Sequence, residues 1–448
     1  MKLLILILYG TILVAIGIYS AFRVRTPADY FIAGKQSGVW RVAGSLLATI
    51  LGGSAILGST NLAMTRGWAA LWYLLSASLG LWILVPLVRK VSRYGKFTLA
   101  GLLGRFYGET ARKSASVIIP LAWTGIVAAQ IVAAAKVLYA IFLFPYEYGV
   151  LVSGVAFIAY TLLGGQMSIL KTDLYQSVII LAGVAACALA IARMPGIHVQ
   201  PIPRSFPFNP AFGPADLLIL LLTFSSTFVV GPDIYSRVFC ARDEDTARKS
   251  VMLVAAVLIP FAFALTYLGM AASANLPAEK LQGSVALIEL IGFYLPEWAV
   301  GIMAAALLSA VLSSADTTLL SAAILLSELI KKDIDNKKSL QITRVLITVT
   351  GLASILIAMK ITSIIGMLLM ALAVYSGAFI VPLIAALTNM KVNRHMAVAA
   401  MITGGAIALT GKLLTDVYGL AWGNWIIAAA FPVNFLLLKF RNKTRIKN

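Results

Sequence analysis

At 448 residues, 60% hydrophobic and 12% charged, with a mean hydropathy of +0.94, the chain carries about half the charged fraction of a soluble domain. These figures exclude a soluble globular protein and point to an all-α polytopic membrane protein; a β-barrel is excluded because the apolar runs continue for roughly 20 residues or more without a barrel strand's alternation. The formal net charge of +19 lies mostly in short loops between apolar runs, a pattern that sets membrane orientation rather than one that binds nucleic acid.

In chain order, spans are expected at residues 3–22, 38–66, 67–88, 114–143, 146–164, 168–194, 214–240, 250–274, 298–330, 340–360, 362–388, 395–413 and 420–440, thirteen in all. The first has a single Lys2 before it and no small-residue cleavage pattern, so it reads as a retained helix and not a signal peptide. The second contains LATILGGSAILGSTN, where Gly52, Gly53 and Gly58 stand beside Ser54, Ser59, Thr60 and Asn61. Such a composition weakens a helix and offers hydroxyls and free backbone groups. Lys136, in the fourth span, reads as the only lysine or arginine well inside one. The seventh span contains TFSSTFVVGPDIYSR, broken by Gly231-Pro232. In the ninth, Ala310, Ser313, Ser314 and Thr317 share a helix face, with Asp316 flanking it. Cys187 and Cys240 fall within spans and imply neither a disulfide nor a metal centre.

With the N-terminus outside, 28 of the 36 Lys and Arg residues fall on one side. That side, which includes the Arg89 to Lys96, Arg242 to Lys249, Lys331 to Lys338 and Arg441 to Lys447 clusters, is expected to be cytoplasmic and to hold the C-terminus. The sizeable outside segments are 195–213 and 275–297, and SVALIELIGFYLP in the latter is expected to form a surface helix. Neither is long enough for a separate domain. The interrupted second and seventh spans lie five apart and so cross in opposite directions, which is the sequence sign of an inverted-repeat transporter with its site near the midplane.

Asp173 and Asp316 read as the only acids well within spans. Burying a carboxylate costs several kcal/mol unless it is paired or binds a cation, so each is a candidate functional group. Oxygen ligands without thiols or imidazoles suit sodium. Lys136 either snorkels to the outer surface, pairs with Glu147 across the outside turn, or meets a negative group on a substrate. Gln130, Ser54 and Trp72 are candidate substrate contacts, with Tyr73 and Trp123 as further pocket aromatics. Catalysis has little support: His198 and His395 lie in or near loops, and no HExxH, GxSxG or phosphate loop is present.

DYFIAGKQSG (Asp29 to Gly38), YTLLGGQMSILKTDLYQ (Tyr160 to Gln176), GPDIYSRVFCARDEDTARKS (Gly231 to Ser250) and ALLSAVLSSADTTLL (Ala306 to Leu320) together resemble the sodium/solute symporter family, over nearly the whole chain. The resemblance implies a LeuT-type fold of two inverted five-helix repeats, here 38–194 and 214–388. Residues 1–37 would form an extra N-terminal helix and loop, and 395–448 the last two helices and tail. It implies a sodium site built from the carbonyls of Ala48, Leu51 and Ala310 and the hydroxyls of Ser313 and Ser314. Asp173 matches the family's TD acid, while Asp316 and Thr317 occupy positions where some members bind a second sodium with hydroxyls; the acid departs from that pattern. Lys136 stands where carboxylate-transporting members carry an arginine, and Ser54-Ala55 replaces the Glu-Gln pair of sugar transporters. The implied protein is a symporter of the bacterial cytoplasmic membrane that imports a small organic solute, expected to carry a carboxylate. It needs no nucleic acid and no obligate protein partner. The rival is a solute sensor without transport.

Overall fold

The computed structural model describes residues 1–22, 26–94, 98–199, 206–281, 285–330, 337–420 and 422–439. Among these, regular structure is helical throughout, apart from isolated bridges at Ser37/Ala241 and Asn209/Phe212. The helices are α1 (Lys2–Ala21), α2 (Pro27–Ile32), α3 (Val39–Ile50), α4 (Gly53–Arg66), α5 (Leu71–Leu84), α6 (Val88–Tyr94), α7 (Leu99–Tyr107), α8 (Glu109–Phe142), α9 (Tyr146–Ala192) and α10 (Pro214–Leu220). They continue as α11 (Ser226–Val230), α12 (Pro232–Cys240), α13 (Glu244–Asn275), α14 (Ala278–Leu281), α15 (Ala286–Tyr294), α16 (Glu297–Ile330), α17 (Lys337–Lys360), α18 (Ile364–Leu387), α19 (Arg394–Asp416) and α20 (Gly423–Lys439). Eleven described segments are long and apolar enough to cross a membrane, and α3 and α20 are shorter apolar helices.

Segment boundaries shift where glycine takes over the backbone. The expected second span, 38–66, divides into α3 and α4, and α4 continues through a 3-10 turn at Gly67–Ala70 into α5, giving the apolar segment Gly53–Leu84. Gly67 opens that turn at φ 55°, a conformation that favours glycine. The expected surface helix is α15, but it does not simply lie on the surface: Leu287, Leu290 and Ile291 are buried and it packs on α16, α13, α4 and α8. Loop 331–336 and tail 440–448, which entered the charge argument, lie outside the described residues.

The molecule is layered around α8 and α16, which pack against one another and are largely buried. Both helices are rich in buried alanine, with Ala128, Ala129, Ala133, Ala304, Ala306 and Ala310 among them; small side chains let two backbones approach where no hydrophobic driving force separates helix from lipid. Peripheral helices do the reverse. Leu3, Leu4, Ile7 and Leu8 on α1 and Leu352 and Leu356 on α17 are exposed, as a lipid-facing surface requires. Outside the bilayer, Asp243 caps α13 by accepting from the Thr246 amide at 2.6 Å, and that bond, with Arg242 beside it, holds its carboxyl below the usual carboxylate range.

Gly165 divides α9 at φ 54°, ψ −153°, and a Cβ there would meet the Tyr30 ring at 2.5 Å. Gly165→Ala therefore adds a backbone cost of about 1–3 kcal/mol to a steric clash and is expected to lower Tm by several degrees in detergent-based scanning fluorimetry. Gly10→Ala, where nothing lies within 4 Å, is expected to leave Tm unchanged or slightly raised. Equal Tm values for the two variants would contradict this account of the bend.

Candidate functional site

Two helix interruptions face one another across the core. The first separates α3 from α4 at Leu51-Gly52, and the second separates α11 from α12 at Gly231-Pro232. Each leaves carbonyls at one helix end and amides at the next without intrahelical partners, and hydrocarbon offers no water to replace them.

At the second interruption protein groups meet this need. Tyr235 donates its hydroxyl to the Val229 carbonyl at 3.0 Å, and Tyr375 donates to that of Val230. The first is treated differently. Gln130 reaches from α8 to the start of α4, accepting from the Ser54 amide at 3.4 Å and donating to its hydroxyl at 2.8 Å. Ser314 of α16 donates to the Thr49 carbonyl at 2.7 Å. Gly52 permits that approach, since a Cβ there would collide with the Ser314 hydroxyl. The carbonyls of Ala48 and Leu51 accept no hydrogen bond from a described residue.

Beside this break lies a fully buried charged cluster. The Asp173 carboxylate accepts from Ser45 at 2.5 Å, from Ser313 at 2.5 Å and from Arg237 at 3.3 Å. Arg237 also donates to Ser45 at 3.0 Å, to Ser236 at 2.9 Å and to Thr317. Thr317 lies 3.4 Å from Asp316 Oδ1, while Asp316 Oδ2 has no partner among the described residues. Four helices, α3, α9, α12 and α16, thus meet at one ion pair. Tyr9 adds α1, accepting from Ser309 at 2.7 Å.

The donor set can be tested against a sodium ion. A hydroxyl that binds a cation through its lone pairs must give its hydrogen to another acceptor. Ser313 and Ser314 both do so, to Asp173 and to the Thr49 carbonyl. With the Ala48 and Leu51 carbonyls unengaged, the first break offers oxygens only, which suits a hard monovalent cation.

Against this first break sits a cavity of ≈ 60 Å³. Thr49, Ser54, Gln130 and Ser314 line it near the α3 break, and Tyr73, Trp123, Phe224 and Phe228 supply aromatic walls. Tyr73 stacks on Phe224 at 4.4 Å, and Phe224 meets Phe228 edge-on at 5.0 Å. The sole charged side chain among the described lining residues is that of Asp233, at the start of α12. A second cavity of ≈ 230 Å³, lined by Arg66, Asp216, Thr223 and Lys412, lies next to it in sequence along α18.

Of the expected site residues, the structure brings Ser313, Ser314, Asp173, Asp316 and Thr317 together with the α3 break, and places Gln130 and Ser54 at the cavity. Trp72 stands apart, donating to the Pro207 carbonyl at 3.2 Å and stacking on Phe206 at 5.4 Å. Lys136 is half-buried, does not line the cavity, and has no ion pair with Glu147. Two expectations need correction. Lys136 is not the only base inside a span and Asp173 and Asp316 are not the only acids, because Arg237 is fully buried in the Pro214–Cys240 segment and Asp233 lies on the same helix. Glu328 is a further buried acid, accepting from Thr98 at 2.7 Å. The available signal was the Gly231-Pro232 pair, which starts a new helix in the protein interior rather than near a membrane surface. An acid in a helix's first turn gains only about 0.3–1 kcal/mol from the dipole, less than the several kcal/mol that burying it costs. Asp233 is half-buried and accepts from its own amide and that of Ile234, so it also caps the first turn of α12.

Comparison with known proteins agrees with this architecture. The sequence profile of the Sodium:solute symporter family matches residues 30–200 and 203–404. The sodium/pantothenate symporter of Escherichia coli (strain K12) is 25% identical over 433 residues, covering 90% of this chain and 88% of the relative. The sodium/proline symporter of the same strain is 24% identical over 442 residues, covering 90% and 86%. Among solved structures, a substrate-bound, outward-open sodium-coupled sialic acid symporter superposes with a TM-score of 0.79 at 18% identity, covering 98% of each chain. Mhp1, a nucleobase-cation-symport-1 family transporter in a closed conformation, gives 0.57 at 13% identity, covering 92% of this chain and 96% of the other.

The Asp173–Arg237 pair yields a stability test. Removing one partner of a buried pair costs about 3–5 kcal/mol because it strands the other charge. Asp173→Asn and Arg237→Met are each expected to lower Tm sharply, with the double variant recovering part of the loss. Strictly additive losses in scanning fluorimetry would show that the two side chains do not act as a pair.

Proposed function

Since the chain belongs to the sodium:solute symporter family, we propose that it uses the inward sodium gradient to import a small organic solute across a bacterial cytoplasmic membrane. The N-terminus lies outside and the C-terminus is cytoplasmic. Sodium sits at the α3 break, on the carbonyls of Ala48, Leu51 and Ala310 and the hydroxyls of Ser313 and Ser314. The observation that carries this reading is the pair of serine hydroxyls whose hydrogens point to Asp173 and to the Thr49 carbonyl, beside the Ala48 and Leu51 carbonyls, which accept no hydrogen bond from a described residue. The ≈ 60 Å³ cavity holds the solute, and the Arg66–Lys412 cavity is its approach from outside. That both curated relatives are symporters favours transport over a sensor.

Asp173, Asp316 and Thr317 couple the ion to the rest of the protein. Arg237 already places a tethered cation between Asp173 and Thr317, so a second sodium would compete with it there. Residues 38–194 and 214–388 act as two repeats that move about this cluster; coupling arises because ion and solute together stabilise a loaded state more than either does alone. Lys136, from which a carboxylate on the solute was expected, is not among the residues lining the cavity.

Reconstitution into proteoliposomes tests the reading. Uptake of a solute from a panel starting with proline, pantothenate and sialic acid is expected to require an inward sodium gradient and to stop with potassium in its place. Ser313→Ala/Ser314→Ala is expected to abolish that dependence, and to weaken sodium's own thermal stabilisation at least ~10-fold in half-maximal concentration, by loss of two ligands. A wild-type sodium titration in the double variant would place the ion elsewhere.

A further inference from the structure

Accepting that the ≈ 60 Å³ cavity is the solute site, we infer that the solute it recognises carries a positively charged nitrogen, held by Asp233 and an aromatic wall. Asp233 is the one charged side chain among the described residues that line the cavity. Its carboxylate accepts from its own amide and that of Ile234 at the start of α12, and it forms no ion pair within 4 Å with a described cation. Arg237, one helical turn further along α12, has its guanidinium committed to Asp173, Ser45 and Thr317. Tyr73, Phe224 and Phe228 form a contiguous wall at the same cavity, and Trp123 faces it from α8. A carboxylate beside several aromatic faces is suited to an ammonium group, which gains from a counter-charge and from the negative faces of the rings together. An anionic solute would meet the opposite: an acid in place of a base, and no lysine or arginine among the lining residues.

The remaining polar groups specify more of the ligand. Tyr73 OH, Trp123 Nε1 and Thr49 Oγ1 are buried, line the cavity and have no partner among the described residues. Trp123 can only donate, whereas the two hydroxyls both donate and accept. A solute that satisfies them has an acceptor oxygen as well as its cationic nitrogen, the pattern of an amino acid, a betaine or an amino alcohol. The sites split by charge: sodium meets carbonyl and hydroxyl oxygens at the α3 break, while the ammonium meets a full carboxylate at the start of α12.

The test is scanning fluorimetry of the purified full-length protein, in sodium and in its absence, with matched probes that differ in the nitrogen. Choline is compared with 3,3-dimethylbutan-1-ol, and proline with cyclopentanecarboxylate. At least one charged-nitrogen member is expected to raise Tm while its carbon counterpart does not. Asp233→Asn, which keeps size and polarity at the helix start, is expected to weaken that response at least tenfold while retaining sodium's own shift. Asp233→Glu is expected to retain part of the response, and Phe228→Leu, on the wall, to weaken it several-fold. Stabilisation by a neutral or anionic counterpart as strong as by its charged partner overturns the inference. So does the absence of any shift with the charged members. Either result with sodium's shift intact leaves the symport reading standing, whereas loss of the sodium shift in the wild-type protein tells against that reading itself.

Discussion

A helix that stops in the middle of a bilayer must find partners for its last carbonyls and for the next helix's first amides, because hydrocarbon supplies none. This chain stops twice in its core and resolves the two stops differently. At Gly231-Pro232 the carbonyls of Val229 and Val230 receive tyrosine hydroxyls from Tyr235 and Tyr375, so the break is closed by the protein. At Leu51-Gly52, the Thr49 carbonyl is the only one from Ala48 to Leu51 that receives a donor from a described residue outside the helix. A break left open in this way is poorly stable alone, and the sodium proposed to bind there would make ion binding part of the local folding energy.

The buried ion pair extends that constraint to the whole bundle. Asp173 shares Ser313 with the proposed ion site and shares Ser45 with Arg237. Through these few atoms α3, which ends at the open break, is joined to α12, which begins at the closed one. Any movement of α12 relative to α9 and α16 has to exchange hydrogen bonds of a charged pair, and the same exchange alters how Ser313 is oriented. With the ion at the proposed site, coupling would need no long pathway, because the ligand Ser313 and the connection between helices share the Asp173 carboxylate.

The fold was legible because its signals are collective. Long apolar runs fix helices, and a Gly-Gly and a Gly-Pro interruption five spans apart fix where they break. Motif and face periodicity singled out Ser313 and Ser314, and the cost of an acid within a span singled out Asp173; the structure joins Ser313 to Asp173 in one hydrogen bond. Gln130 and Ser54 were named as solute contacts, and they also prove to hold the start of α4. What escaped was depth. Position along a run serves as a proxy for depth only while the helix is continuous; Arg237 and Asp233 look interfacial by distance from the span's end, yet the break starts α12 within the protein and carries both inward. Lys136 shows the converse, since a charge near mid-run need not face the cavity.

The aromatic residues make the same point from the apolar side. Tyr73 lies on α5, Trp123 on α8, Phe224 in the helical turn Leu221–Ser225 and Phe228 on α11; in sequence Tyr73 and Trp123 are candidate pocket aromatics, while Phe224 and Phe228 look like ordinary membrane packing. What separates them from packing is convergence: Tyr73 and Trp123 bury polar atoms without partners among the described residues, and both line the space that Asp233 also lines. A buried hydroxyl or indole N–H left unpaired costs about 1–3 kcal/mol, a cost that selection for packing alone would remove with phenylalanine. Retaining two of them, next to an acid, is consistent with a site whose missing hydrogen bonds belong to a ligand.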